Sequence, residues 1–185
     1  MKQSEALTII DAGASAFITG APGAGKTYVL NAAIREMRKN GLSVAVTAST
    51  GIAATHLNGQ TIHSWSGVGV SNALTDTLLK TIRARRGKRI KATDVLVLDE
   101  VSMIHAWLFD MVDEVCRKVR KNPAPFGGLQ VVISGDFSNF RLLALLCEIA
   151  TCSSRAKNLL SRAKNMLLPA KIRKVILQNL LRGML

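Results

Sequence analysis

Acidic residues are scarce in this sequence. Its 185 residues carry 25 Lys and Arg against 12 Asp and Glu, a formal net charge of +13, which favours a polyanionic partner. The shortage is uneven. Residues 1–137 hold 16 Lys/Arg and 11 Asp/Glu, a net of +5, whereas residues 138–185 hold 9 Lys/Arg and one acid, Glu148, a net of +8. Cysteine is scarce too. Cys116, Cys147 and Cys152 make an odd set with no C-x-x-C spacing, which argues against a disulfide framework or a metal knuckle and for reduced thiols. No apolar run reaches the ~18 residues that span a bilayer. The N-terminus lacks the long apolar stretch of a secretory signal. A soluble, intracellular protein of cytoplasm or nucleoid, with no membrane span, is expected.

Against these absences stands a chain that is 48% hydrophobic, enough for the sizeable core of one domain. Residues 20–27 read GAPGAGKT. The spelling fits G-x-x-x-x-G-K-[ST], a phosphate-cradling loop. Gly20, Gly23 and Gly25, with Ala24 between the last two, allow a tight turn that brings main-chain N–H groups to phosphate oxygens. Lys26 adds positive charge at the β and γ phosphates, and Thr27 offers a hydroxyl to Mg²⁺. The run from Tyr28 to Lys39 reads as a helix whose N-terminus faces the anion. ATP and Mg²⁺ are the expected ligands.

Apolar runs at 16–19, 43–48, 95–98 and 129–134 read as buried strands, with helices expected over 3–12, 28–39, 51–58, 61–66, 73–83 and 106–120. Such alternation predicts an α/β fold: a RecA-like domain in which helices cover both faces of a parallel sheet, with ligands at the carboxyl ends of the strands. Asp99 and Glu100 follow the third strand. If the chain stays extended there, they point to opposite sides. Asp99 then faces the metal, and Glu100 reaches a water near the γ-phosphate as its general base. Asp136 is a third acid at that edge, placed to sense the γ-phosphate or simply to cap a turn.

Three segments, TASTGIAATHLNGQTIHSWSG (47–67), DEVSM (99–103) and FGGLQVVISGDF (126–137), resemble superfamily-one DNA helicases of the petite-integration-frequency type, with RecD as a cousin. The resemblance covers residues 3–137. It implies an ATP-dependent 5′→3′ helicase acting on single-stranded DNA or DNA junctions in repair or recombination. It also implies an adenine-reading role for Gln3. Thr47, Ser49, Thr50 and Gly51 take the place of an element that touches single-stranded DNA. Small residues and hydroxyls suit close backbone contact, and His63 or Trp65 would stack a base; core packing is the alternative for Trp65. Seven basic residues between Lys80 and Lys91 read either as a solvated loop or as a phosphate-following run.

After Phe137 the chain departs from the family pattern. It reads Ser138-Asn139-Phe140-Arg141-Leu142 where an aromatic residue, a glutamine and Leu-Pro-Pro are expected. Asn139 stands nearest to the γ-phosphate-sensing glutamine. The expected organisation is therefore a RecA-like ATP-binding domain at 1–137 and a basic helical tail at 138–185, with truncation or a frameshift at the junction. The motor would lack its second RecA-like domain. A non-helicase triphosphatase and a non-catalytic nucleic-acid-binding fragment are the alternatives.

Overall fold

The computed structural model describes residues 3–20 and 23–135, so the tail at 138–185, Asp136 and Asn139 lie outside the described residues. Five parallel strands form one sheet in the order β1-β5-β4-β2-β3. They are β1 (Ala16–Ile18), β2 (Val44–Ala48), β3 (Gln60–Thr61), β4 (Val95–Asp99) and β5 (Gln130–Ser134). The central pair, β4 and β5, is buried along its whole length. A parallel sheet covered on both faces requires this, since its strands have no solvent side.

Side chains of successive strand residues alternate between two cores. Leu96, Leu98, Val131 and Ile133 join the cluster under α4 (Ile62–Ser66), α5 (Asp76–Ala92) and α6 (Ala106–Arg120). Val95, Val97 and Val132 join the other, under α1 (Gln3–Asp11) and α2 (Lys26–Lys39). A short helix, α3 (Gly51–His56), links β2 to β3. The result is a three-layer sandwich of helices, sheet and helices, as the α/β reading expected.

Two elements differ from the sequence reading. The two-residue β3 is additional, pairing with β2 only at Thr47 and Ala48. The basic run is helical and not a loop: α5 continues through it to Ala92. Thr75 caps its first turn by accepting from the Leu78 N–H at 3.2 Å. Leu79, Ile82 and Ile90 bury one face, and Lys and Arg are themselves good helix formers. Arg120 secures the far end by donating to the carbonyls of Ile90, Lys91, Thr93 and Gly127.

The strand that carries the glycine loop is tied down by the last strand. Gln130 Nε2 donates to the Ile10 and Ala14 carbonyls at 2.8 and 2.9 Å, and the Val131 N–H donates to Ser15 Oγ at 2.9 Å. The start of β5 thus fixes the turn from α1 into β1. The end of β5 does the same for the exit, where the Gly135 N–H donates to the Ile18 carbonyl at 3.2 Å.

Candidate functional site

Because all five strands run parallel, the segments leaving β1, β5, β4 and β2 emerge on one edge of the sheet. Leaving β1, the loop places Gly23 at φ 79° and Gly25 at φ 80°, left-handed conformations that disfavour a Cβ. Gly25 immediately precedes α2, and no side chain caps that helix. By contrast, Thr50, Thr61 and Thr75 cap α3, α4 and α5 by accepting a main-chain N–H. The first-turn N–H groups of α2 therefore remain available to an external acceptor, and the helix dipole favours an anion there. Lys26 opens the helix, with its Nζ 2.6 Å from the Gly20 carbonyl across the loop. Thr27 and Tyr28 follow on the exposed first turn.

Gln3 belongs to the same neighbourhood. Its Nε2 lies 3.5 Å from the Ala24 carbonyl, and a Cβ added at Gly25 would meet that nitrogen at 2.8 Å. The absence of a side chain at Gly25 thus serves both a backbone conformation and the seating of Gln3.

Leaving β4, Asp99 is the last strand residue and only 5% exposed. Its Oδ1 accepts the Glu100 N–H at 3.0 Å, and its carbonyl accepts the Ser49 N–H at 3.3 Å. Glu100 does not continue the strand. It adopts φ 53°, ψ 44°, so the two acids are separated by a left-handed turn and not by extended-chain alternation. A non-glycine residue in that region stores strain of about 1–3 kcal/mol, and such strain clusters at functional sites. The exposed Glu100 carboxyl is thereby directed away from buried Asp99.

Gly135, which the sequence reading left unassigned, has a close-approach role. A Cβ there would lie 2.9 Å from Val101 Cγ1 and 3.1 Å from the Val101 nitrogen. The end of β5 thus packs directly on the turn after Glu100. Its signal was a glycine placed directly after an apolar strand.

Leaving β2, the predicted DNA-contact residues divide. Thr47 is fully buried, and its hydroxyl donates to the Val97 carbonyl at 2.7 Å. It belongs to the sheet and does not face outward. Trp65 is likewise 0% exposed, so the base-stacking expectation gives way to core packing. Thr50 caps α3 through the Ala53 N–H. Gly51 is exposed, and a Cβ added there would meet nothing within 4 Å. Ser49 Oγ is a buried hydroxyl without a partner. His63 is half-buried and, with Arg85 and Arg86, lines a cavity of about 210 Å³ between α4 and α5.

The donor set fits a magnesium nucleotide. Among the described residues no group of three or more His, Cys, Asp or Glu gathers to hold a metal. Mg²⁺ needs no such cage, since it is commonly held by one or two protein oxygens, substrate phosphates and water. Thr27 and Asp99 are of that type. No helix among the described residues is long and apolar enough to cross a membrane.

The family model for PIF1-like helicases matches residues 2–181. This chain belongs to the PIF1-like helicase family. The match runs past residue 137, beyond the last motif of the resemblance. The ATP-dependent DNA helicase Pif1 of Psychrobacter sp. (strain PRwf-1) is 49% identical over 139 residues, covering 74% of this chain and 21% of that protein. The crystal structure of Pif1 helicase from Candida albicans superposes with a TM-score of 0.70 at 38% identity, covering 73% of this chain and 32% of that one. A Bacteroides Pif1 solved in complex with ADP-AlF3 and single-stranded DNA gives a TM-score of 0.56 at 29% identity, over 72% of this chain and 31% of that one. The chain therefore spans about a fifth of the curated relative and about a third of the solved proteins.

Proposed function

We propose that this chain is the nucleotide-binding part of a 5′→3′ DNA helicase, binding Mg·ATP at the strand edge and single-stranded DNA beside it. The uncapped start of α2 behind left-handed Gly25 carries this reading, with Asp99 and Glu100 on the same edge. The solved relative holding ADP-AlF3 and single-stranded DNA supports both ligand classes. A DNA motor acts inside the cell.

Main-chain N–H groups at the start of α2 would bind the phosphates, with Lys26 neutralising charge at the β and γ positions. Gln3, seated on Ala24 and Gly25, is placed to read the base of a nucleotide held by that loop. Thr27 and Asp99 would hold Mg²⁺, which when bound neutralises phosphate oxygens. Glu100 would orient the attacking water and accept its proton. Ser49, Gly51 and His63 are the outward or unpartnered members of the predicted DNA-contact set, and they lie beyond Asp99 across the β2–β4 pair. Asp136 and Asn139 retain their proposed γ-phosphate roles.

ATP turnover measured with and without single-stranded DNA tests this reading. Lys26→Ala should abolish nucleotide binding. Glu100→Gln should keep binding while losing hydrolysis; unchanged hydrolysis in that variant removes Glu100 from its role. With no second RecA-like domain to close the cleft, the 185-residue chain should hydrolyse slowly and unwind nothing. Processive unwinding by it would overturn the incomplete-motor reading.

A further inference from the structure

A second cavity lies at the opposite end of β2 from the nucleotide edge. It has a volume of about 370 Å³ and is lined by Ser43–Val46 of β2, by Arg38 of α2, and by Trp65 and Arg89 from the other layer, among others. It exists because β3 pairs only with Thr47 and Ala48. Among the described residues, no strand flanks the Val44–Val46 stretch of β2 on that side.

Two buried donors there have no partner: the indole Nε1 of Trp65 and the Nε of Arg89. Trp65 is 0% exposed, and an unmade hydrogen bond at a buried donor is costly. The rest of the Arg89 guanidinium is spent on neutral acceptors. Its NH1 donates to Gln60 Oε1 at 3.1 Å, and its NH2 donates to the Ser64 and Trp65 carbonyls at 2.9 and 2.6 Å. No carboxylate faces it among the described residues, and none lines the cavity. Asp94, just beyond Thr93, is turned to the Ser43 N–H at 2.9 Å. Burial, and then the neighbouring Arg86, lower the Arg89 pKa. Both effects are those of a cation lacking a counterion. Arg38, exposed on α2, adds a second guanidinium.

We propose that this cavity is an anion-binding site, distinct from the nucleotide site, that takes a phosphate or carboxylate group. One oxygen would accept from the Trp65 indole and Arg89 Nε, while Arg38 supplies charge from the rim. Recognition of this kind uses charge-assisted hydrogen bonds. The bound group would sit beneath Gln60–Trp65, the same segment that carries His63 to the proposed DNA face.

The test uses the full chain with Trp107→Phe, which removes an exposed indole and leaves Trp65 as the sole one, since the sequence has two tryptophans. Inorganic phosphate and acetate are titrated separately while the Trp65 indole N–H resonance is followed. A saturable downfield shift is expected. Arg38→Ala should weaken the response about tenfold, the worth of one charge-assisted contact. Lys26→Ala should leave it unchanged, which separates this cavity from the phosphate loop. A response to phosphate alone assigns phosphate esters, and a response to acetate alone assigns carboxylates. A static resonance in both titrations overturns the proposal. So does a response undiminished by Arg38→Ala, or one lost with Lys26→Ala.

Discussion

At the β1 end of the sheet's carboxyl edge, contacts to ligand come from the main chain. Gly23 and Gly25 set the path, α2 begins uncapped, and the one long side chain, Lys26, reaches back over the loop. At the β2 end, the hydroxyl side chains expected to meet DNA are largely occupied inside the protein. Thr47 bonds the Val97 carbonyl and Thr50 caps α3, while Ser49 alone keeps an unpartnered oxygen. Where the backbone does the binding, glycine and lysine at fixed spacing can serve little else. Where hydroxyl side chains serve, the same residue type can hold the sheet, cap a helix or face a ligand. Only burial separates those roles.

The largest effect should come from breaking the main-chain end. Gly25→Ala places a Cβ 2.8 Å from Gln3 Nε2 in a left-handed conformation, whereas Gly23→Ala meets nothing within 4 Å. Both variants carry left-handed strain of about 1–2 kcal/mol. Only Gly25→Ala should also displace Gln3, so it should lower nucleotide affinity much further. Titration with a fluorescent ATP analogue checks the order; equal losses would break the contrast.

A smaller effect divides the β2 end. Thr47→Val should destabilise the fold by about 1 kcal/mol through loss of a buried hydrogen bond and leave single-stranded DNA affinity alone. Ser49→Ala should do the reverse, since its hydroxyl has no internal partner. Denaturant melts and DNA-binding isotherms on both variants test the pairing. If Ser49→Ala proves to be the destabilising one, the division is wrong.

The smallest effect concerns stored strain at Glu100. Glu100→Gly relieves a left-handed φ of 53° and should raise stability by about 0.5–1 kcal/mol, even as hydrolysis is lost. Urea midpoints report the first and phosphate release the second.

Much of this was legible in the sequence. The four longer strands, the loop and the Asp99-Glu100 pair were all predicted, because buried parallel strands are short unbroken apolar runs and the loop has one spelling. What escaped has physical reasons. β3 has two residues, Gln60 and Thr61, too few to show any periodicity. The reach of α5 was hidden because its solvent face is so heavily charged that only Leu79, Ile82 and Ile90 mark its period. Trp65 was open to two readings, since an aromatic beside hydroxyls suits a core as well as a stacked base. The turn at Glu100 left no local mark, because glutamate has no preference for a left-handed conformation.

The bonds that join β5 to β1 also carry a consequence for the order in which the protein is made. β1 pairs with β5 alone among the strands, and its entry and exit are held by Gln130, Val131 and Gly135. During synthesis, at about 5–20 residues per second, early segments wait for late ones. The glycine loop is written near the start of the message, yet it has no fixed support until more than a hundred further residues have left the ribosome. A nascent chain halted before Gln130 would carry every letter of GAPGAGKT and have no sheet edge on which to hold it.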